Sequence, residues 1–120
     1  MHILLVDDEK LNRVVIGRMI EIGGYTYYGC GSGQEAIDYL MHHDCDLVLM
    51  DRQMPDMDGL ETTRRIRALP AIKQPKIVSF SAYTDEKSYR EAIESGMDAV
   101  IDKPVTLDDL NRTITDLQDS

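Results

Sequence analysis

Five short apolar runs, separated by longer amphipathic stretches, constrain the fold of this chain more than any other feature. Most of them carry the β-branched or aromatic residues that strands favour. Two of them, ILLV and LVLM, are continuously apolar, which is typical of parallel strands covered on both faces. The predicted strands are Ile3–Val6, Tyr25–Tyr28, Asp46–Met50, Lys76–Phe80 and Ala99–Ile101.

Apolar residues between the predicted strands recur at helical spacing. Towards each end of the chain they step by three or four residues, which draws one stripe along a helix. Two further stripes are shorter, and the polar stretch Leu60–Ala68 predicts a helix with a wide face to water. The stripes comprise Leu11, Val15, Met19 and Ile22; Ala36, Ile37, Leu40 and Met41; Tyr89, Ala92 and Ile93; and Leu107, Leu110, Ile114 and Leu117.

Capping residues mark where the predicted helices begin and end. Ser32 followed by Glu35 forms a capping box, and Thr106 begins a looser version of the same motif. Thr84 is placed to cap the fourth helix. Gly96 stands where that helix should stop.

The alternation of strands and helices predicts an α/β fold. Parallel strands joined by right-handed helical crossovers place helices on both faces of the sheet. We therefore expect a doubly wound, five-stranded parallel sheet with five helices. The 120 residues, 42% of them hydrophobic, suit one domain that spans residues 1–120.

Charge and composition exclude several kinds of partner. The formal net charge of −9 argues against direct nucleic-acid binding, because phosphates require clustered Lys and Arg. No apolar run approaches the roughly 20 residues that span a bilayer, and no signal peptide is present. Cys30 and Cys45 lack a metal-binding spacing and are expected to be reduced thiols. These features predict a soluble cytoplasmic domain without membrane contact, and at this size a monomer.

Side chains suited to chemistry follow four of the predicted strands. In an open parallel sheet, ligands bind beyond the carboxyl ends of the strands. Asp7 and Asp8 follow the first strand, Asp51 the third, Ser81 the fourth and Lys103 the fifth. Each alone has a structural explanation, as a helix cap, a turn residue or a solvated charge. Their joint occurrence at one sheet edge predicts a site.

The acids at this edge predict a divalent metal. Carboxylates at the ends of neighbouring strands repel each other unless a cation lies between them. Mg²⁺ takes oxygen ligands from one or two carboxylates and completes its octahedron with waters. We predict Mg²⁺ (or Mn²⁺) at Asp8 and Asp51, with Asp7 in support. A metal beside Lys103 and Ser81 indicates phosphoryl chemistry, in which Asp51 acts as nucleophile and forms an acyl phosphate.

Four motifs at these residues resemble the receiver domain of two-component response regulators. LLVDDE, LMDRQMPDMDG, SFSA and DKP match the signatures of that family in order and spacing. The resemblance extends from about Met1 to Gln118. The segments DDEKLNRVV and MDRQMPDMDGLE are further similar to receivers attached to hybrid sensor histidine kinases.

This resemblance implies a role for each acid. Asp51 would accept a phosphoryl group from a phosphohistidine on a partner. Asp7 and Asp8 would hold Mg²⁺ together with Asp51, and the backbone carbonyl of Gln53 would complete the protein ligands. The partner would be a histidine kinase or a histidine-phosphotransfer domain.

The resemblance also implies roles beyond the acids. Ser81 would be the switch hydroxyl, and Lys103 would contact the phosphoryl group. The Lys103–Pro104 peptide bond is often cis in this family. The fold would be flavodoxin-like, with strand order 2-1-3-4-5. A partner would dock over the acid edge, with Leu11, Val14 and Val15 as candidate apolar contacts.

Five positions are candidates for modulating the reaction. Val100 stands where many receivers carry a switch aromatic, so it is either an ordinary aliphatic or a sign of muted switching at the face of the fourth helix, fifth strand and fifth helix. Gln53 and Tyr83 each lie two residues past a predicted site residue and would flank an attacking water. Ala82 and Pro104, next to the predicted hydroxyl and lysine, complete the set.

Three alternative functions fit the sequence less well. A receiver fold that is never phosphorylated would serve as a binding module, but it would be expected to lack an acid, the hydroxyl or the lysine. An aspartate-nucleophile hydrolase of the haloacid dehalogenase type needs an acid where Gln53 stands. A flavin-binding domain would need a Ser/Thr/Gly-rich phosphate loop after the first strand, where this sequence has acids instead. Enzyme status stays open, because the parent is either a stand-alone receiver or a hybrid kinase whose cytoplasmic part carries this domain.

Tyr83 generates a prediction about the lifetime of the acyl phosphate. We expect Tyr83→Ala to speed hydrolysis, since the aromatic bulk would no longer shield the path of water. The measurement is the rate of phosphoryl loss after the donor is removed, followed by intact mass. Tyr89→Ala serves as the matched control. A rate unchanged in Tyr83→Ala would contradict the hypothesis.

Overall fold

The computed structural model describes residues 1–82 and 85–118, in which strands and helices alternate from end to end. The described strands form one parallel sheet in the order β2-β1-β3-β4-β5, which confirms the predicted doubly wound fold. The elements are β1 His2–Val6, α1 Lys10–Ile22, β2 Thr26–Cys30, α2 Gly33–Leu40, β3 Leu47–Asp51, α3 Gly59–Arg67, β4 Lys76–Ser81, α4 Glu86–Ser95, β5 Ala99–Asp102 and α5 Leu107–Gln118.

The carboxyl ends of the strands extend further than predicted. β2 was expected to end at Tyr28 but continues to Cys30, because Val6 of β1 pairs with Cys30 in parallel register. Strands β3, β4 and β5 each run one residue further than expected, so Asp51 and Ser81 are terminal strand residues. Pairing of Asp51 with Phe80 and of Ser81 with Asp102 holds these ends in the sheet. Asp51 and Ser81 are therefore held in place by strand backbone.

Alternate strand residues bury into two cores, one on each face of the sheet. The core under α1 and α5 contains Ile3, Leu5, Leu49 and Phe80 of the strands. The core on the other face lies under α2, α3 and α4. Fully burying one such side chain contributes about 1.5–3 kcal/mol to folding. Helices on both faces explain why ILLV and LVLM are apolar without alternation.

The buried face of helix α1 is offset from the predicted apolar stripe. Ile16 and Ile20 pack into the core, whereas Leu11, Val15 and Ile22 of the predicted stripe are 71%, 46% and 65% exposed. Residues 16 and 20 are four apart, and they select this face by packing against the sheet. Of the predicted stripe, Met19 packs against the core, and the other three residues leave an apolar surface on α1.

The predicted faces of α3 and α4 also needed correction. Thr62 and Thr63 of the polar α3 are buried. Their hydroxyls stay hydrogen-bonded there, since they donate to the carbonyl oxygens of Asp58 and Gly59 at 2.8 Å each. On α4, Ala92 is buried but Tyr89 is 53% exposed.

Most predicted caps are confirmed. The Ser32 side chain accepts a hydrogen bond from the Glu35 N–H, and Thr106 accepts one from the Asp109 N–H. Helix α4 begins after Asp85 at its N-cap position. Thr84, the predicted cap, lies outside the described residues. Within the described part of the chain, every helix is too short or too polar to cross a bilayer.

The two cysteines are free and buried. Burial raises the pKa of Cys30 to about 12 and that of Cys45 to about 11. Both thiols are therefore protonated at neutral pH and unsuited to act as nucleophiles.

Ser79 on β4 generates a stability prediction. Its hydroxyl is fully buried and finds no hydrogen-bond partner in the described chain. We expect Ser79→Ala to raise the free energy of unfolding by about 1 kcal/mol, because it removes an unsatisfied polar group. The measurement is urea denaturation followed by circular dichroism.

Ser95→Ala is the matched control for this change. Ser95 is also buried, but its hydroxyl donates to the Ala92 carbonyl at 2.6 Å. Its loss should lower the free energy of unfolding by about 0.5–1.5 kcal/mol. Equal destabilisation by both substitutions would contradict the prediction.

Candidate functional site

The sheet brings the predicted acids together at its carboxyl edge. Strands β1 and β3 are neighbours, with Val6 paired to Met50, so the residues that follow meet side by side. One oxygen from each of Asp7, Asp8 and Asp51 lies within 4.8 Å of the others. Asp7 and Asp51 are buried, whereas Asp8 is exposed. The arrangement is a carboxylate cluster open to solvent on the Asp8 side.

The buried carboxylate of Asp7 lacks part of its hydrogen bonding. Its Oδ1 accepts from the Glu9 N–H at 2.9 Å, but its Oδ2 is buried without a partner in the described chain. Burial raises the pKa of Asp7, and the charge of Asp51 raises it further. A bound cation would satisfy both the oxygen and the charge, and hard oxygen donors suit Mg²⁺ or Mn²⁺. The cluster therefore fits the predicted metal.

Asp51 is held by donors from two other segments. Its Oδ1 accepts from the backbone N–H of Gln53 and from the Lys103 ammonium, each at 3.0 Å. Lys103 reaches it from beyond β5, and its Nζ also lies 5.9 Å from the ring centroid of Phe80. The site thus joins residues that are 52 positions apart in the chain.

Backbone contacts position Lys103 and Ser81 relative to each other. The Lys103 N–H donates to the carbonyl oxygen of Ser81 at 2.9 Å. Ser81 is buried at the end of β4, and the Lys103–Pro104 bond is cis, as the resemblance implied. The predicted hydroxyl at the end of β4 and the predicted lysine just after the adjacent β5 therefore lie at the same sheet edge as the acids.

The predicted modulating residues are placed less uniformly. Gln53 and Ala82 are exposed next to the site. Val100 is half-buried on β5 and packs against the core under α4, as an ordinary aliphatic does. Tyr83 lies outside the described residues.

The loop after Asp51 folds back on itself before α3. The Gly59 N–H donates to the Arg52 carbonyl at 2.9 Å. A Cβ on Gly59 would lie 2.8 Å from the backbone oxygen of Asp51, so only glycine fits at this close approach. Asp58 caps α3 through the Glu61 N–H, and Asp56 adopts a φ of 67° in the turn. Asp56 is therefore a turn residue and Asp58 a helix-capping residue.

Two arginines near the site were missed by the sequence analysis. Arg13 on α1 donates to the carbonyl oxygen of Asp7 at 2.5 Å. Arg52 directly follows Asp51 and extends to α4, where it contacts Ser88 and Glu91. Arg13 could have been noticed as a cation one turn into the helix that follows the acids. No local signal identifies Arg52, because its partners lie 36 and 39 residues away.

An apolar groove of about 430 Å³ opens beside the acids. It runs between α1 and the segment after β5, with Leu11, Val15, Phe80 and Val105 among its lining residues. Leu11 and Val15 belong to the exposed face of α1 described above, and Val14 beside them is 53% exposed. A partner surface could contact this face and the acid edge together.

Comparisons with known proteins find related domains in sequence and in structure. The family model described as the response regulator receiver domain matches residues 3–115. The sensor histidine kinase RcsC of Escherichia coli K12 is 40% identical over 116 residues, which is 96% of this chain. The chain spans about 12% of the length of that relative.

Two solved structures extend the comparison. The receiver domain of sensor histidine kinase PA1611 from Pseudomonas aeruginosa, with magnesium coordinated in its active-site cleft, has a TM-score of 0.89 at 28% identity, covering 99% of this chain and 98% of that one. The receiver domain of Ssk1 from Saccharomyces cerevisiae, crystallised with the histidine phosphotransfer protein Ypd1, has a TM-score of 0.87 at 26% identity, covering 96% and 86%.

The charge repulsion between the buried carboxylates of Asp7 and Asp51 generates a prediction about stability. In metal-free buffer with a chelator, we expect Asp7→Asn to raise the free energy of unfolding by about 1 kcal/mol, the usual size of a single-substitution effect. The change removes a buried charge beside Asp51, and the measurement is urea denaturation.

Asp116→Asn is the control for net charge, because it removes one negative charge at an exposed position of α5. It should alter the free energy of unfolding by less than about 0.5 kcal/mol. A loss of stability in Asp7→Asn would show that the charge of Asp7 does not destabilise the fold.

Proposed function

We propose, for a chain that belongs to the response regulator receiver domain family, that Asp51 accepts a phosphoryl group from a phosphohistidine on a partner protein. Family membership confirms the resemblance drawn from the four motifs. The observation that carries the proposal is the convergence of Asp7, Asp8 and Lys103 on Asp51 at one sheet edge. This convergence supports an acceptor, a charge-neutralising lysine and a metal-ligand set at one edge of the sheet.

The proposed transfer follows from the placement of Asp51. Its Oδ1 already accepts two hydrogen bonds, so we assign the attack on phosphorus to Oδ2. A P–O bond to Asp51 forms as the P–N bond to the donor imidazole breaks, and the imidazole keeps that electron pair. Lys103 would offset charge on the phosphoryl oxygens, and the Ser81 hydroxyl would donate a hydrogen bond to one of them.

The metal set is proposed from the same cluster. Carboxylates of Asp7, Asp8 and Asp51, with the backbone carbonyl of Gln53, would hold Mg²⁺ or Mn²⁺. The unpartnered Oδ2 of Asp7 and the magnesium described for the Pseudomonas neighbour support this set. When bound, the ion would supply positive charge that offsets the negative charge on the phosphoryl oxygens.

The partner is proposed to be a histidine kinase or a histidine-phosphotransfer domain. The yeast neighbour was crystallised with a histidine phosphotransfer protein, and the bacterial relative is a sensor histidine kinase. Exposed Leu11, Val14 and Val15 beside the groove offer apolar contacts next to the acids. We place this domain within the cytoplasmic signalling apparatus, as a receiver that relays phosphate onward.

Phosphorylation by a small-molecule donor tests the acceptor role. Incubation with acetyl phosphate and Mg²⁺ should add one phosphoryl group, which intact mass detects. Chelation of the metal should slow this addition by about 100-fold, the usual effect of removing one preorganised charge-stabilising group. Asp51→Asn should gain none, because an amide oxygen cannot form the acyl phosphate.

Asp56→Asn is the matched control, since it makes the same change in the same loop at an exposed turn residue. It should be phosphorylated like the unaltered chain. Phosphorylation that persists in Asp51→Asn would reject the assignment. No phosphorylation by either acetyl phosphate or a phosphohistidine donor would favour the binding-module alternative.

A further inference from the structure

Arg52 connects the residue after the proposed acceptor directly to helix α4. Its side chain is 12% exposed. Nη1 donates to the backbone carbonyl of Ser88 at 2.8 Å, and Nη2 lies 3.4 Å from Oε1 of Glu91. Ser88 and Glu91 are three residues apart, on successive turns of α4, so one guanidinium contacts the helix at two points.

The backbone of Arg52 is held as firmly as its side chain. Its N–H donates to the Phe80 carbonyl on β4 at 3.3 Å, and its own carbonyl accepts from the Gly59 N–H at 2.9 Å. The residue therefore links β4, the start of α3 and α4. Because it lies between Asp51 and Gln53, movement of Arg52 would displace both neighbours in the chain.

The chemistry of the guanidinium makes this link specific. Its planar fork can donate to a carbonyl and a carboxylate at once, whereas the ammonium of lysine is a point charge on a flexible stem. A largely buried cation must keep its partners, because an unpaired buried charge is strongly unfavourable. The side chain is thus expected to follow α4 when the helix moves.

We propose that Arg52 is a positioning residue that couples metal binding at Asp51 to the placement of α4. The proposal rests on the metal and phosphoryl site proposed above. Arg52 would hold the carbonyl of Gln53 towards the metal, while its guanidinium holds α4 against the loop. Coupling of this kind is reciprocal, so a partner that displaces α4 would also change metal affinity.

The aliphatic residue Val100 makes a connection through Arg52 relevant to how the acid edge communicates with α4. It packs into the core where many receivers are expected to carry a switch aromatic. Arg52 provides a separate physical connection between the acid edge and α4, and it does not depend on that aromatic.

The test compares Mg²⁺ affinity and the protection of α4 in the same proteins. Isothermal titration with Mg²⁺ gives the dissociation constant, and hydrogen exchange of residues 86–95 with and without Mg²⁺ reports on α4. We expect Mg²⁺ to slow exchange in the unaltered chain. In Arg52→Ala, the dissociation constant should rise about tenfold, as loss of a residue that orients a ligand does, and the slowing should disappear.

Three further variants sharpen the test. Arg52→Lys keeps the charge but not the fork, and should restore less than half of the α4 response; it carries the test if Arg52→Ala fails to fold. Glu91→Gln should weaken the response without abolishing it, because the Ser88 contact remains. Arg90→Ala is the control, since Arg90 is 61% exposed and pairs with Glu86 on the same helix. It should leave both readouts unchanged.

The outcomes separate this proposal from the proposed function. Mg²⁺ binding and α4 protection unchanged in Arg52→Ala and Arg52→Lys would overturn the coupling and leave the acceptor role standing. Weaker Mg²⁺ binding with α4 protection intact would also overturn it, because Arg52 would then act only on the loop. An unaltered chain that binds no Mg²⁺ would overturn both proposals.

Discussion

Crowding of negative charge at the end of two neighbouring strands is the constraint on which the rest of this site depends. The β1–β3 pairing forces Asp7 and Asp51 into contact range, and burial gives their charges little solvent to screen them. The Lys103 ammonium partly neutralises this charge through its hydrogen bond to Asp51. The Oδ2 of Asp7 is left without a partner in the described chain, and that unsatisfied oxygen supports the proposed cation.

Two arginines and a glycine hold the surrounding backbone around this cluster. Arg13 fixes the Asp7 carbonyl, Arg52 ties the following loop to α4, and Gly59 permits the loop to pass within van der Waals contact of Asp51. Asp51 ends β3 and Asp7 directly follows β1, while Lys103 and Arg13 reach the cluster from a loop and from α1.

The apolar surface of α1 shows why hydrophobic spacing alone is an incomplete guide to packing. Leu11, Val15 and Ile22 have helical spacing, as core residues do, yet they face outward while Ile16 and Ile20 enter the core. Both stripes exist in the sequence, and the choice between them depends on where the helix lies on the sheet. The outward stripe is free to contact a partner beside the acid edge.

The sequence by itself determined the order of strands and helices, the doubly wound class, and the presence of acids, hydroxyl and lysine at one edge. These features follow from local periodicity and from the position of a residue just past an apolar run, which need no knowledge of distant contacts. Only the tertiary structure decided which face of α1 is buried, that Oδ2 of Asp7 lacks a partner, and that Arg52 grips α4. Each of these depends on which segments, separated by tens of residues, come to lie side by side, and a single sequence records no such distances.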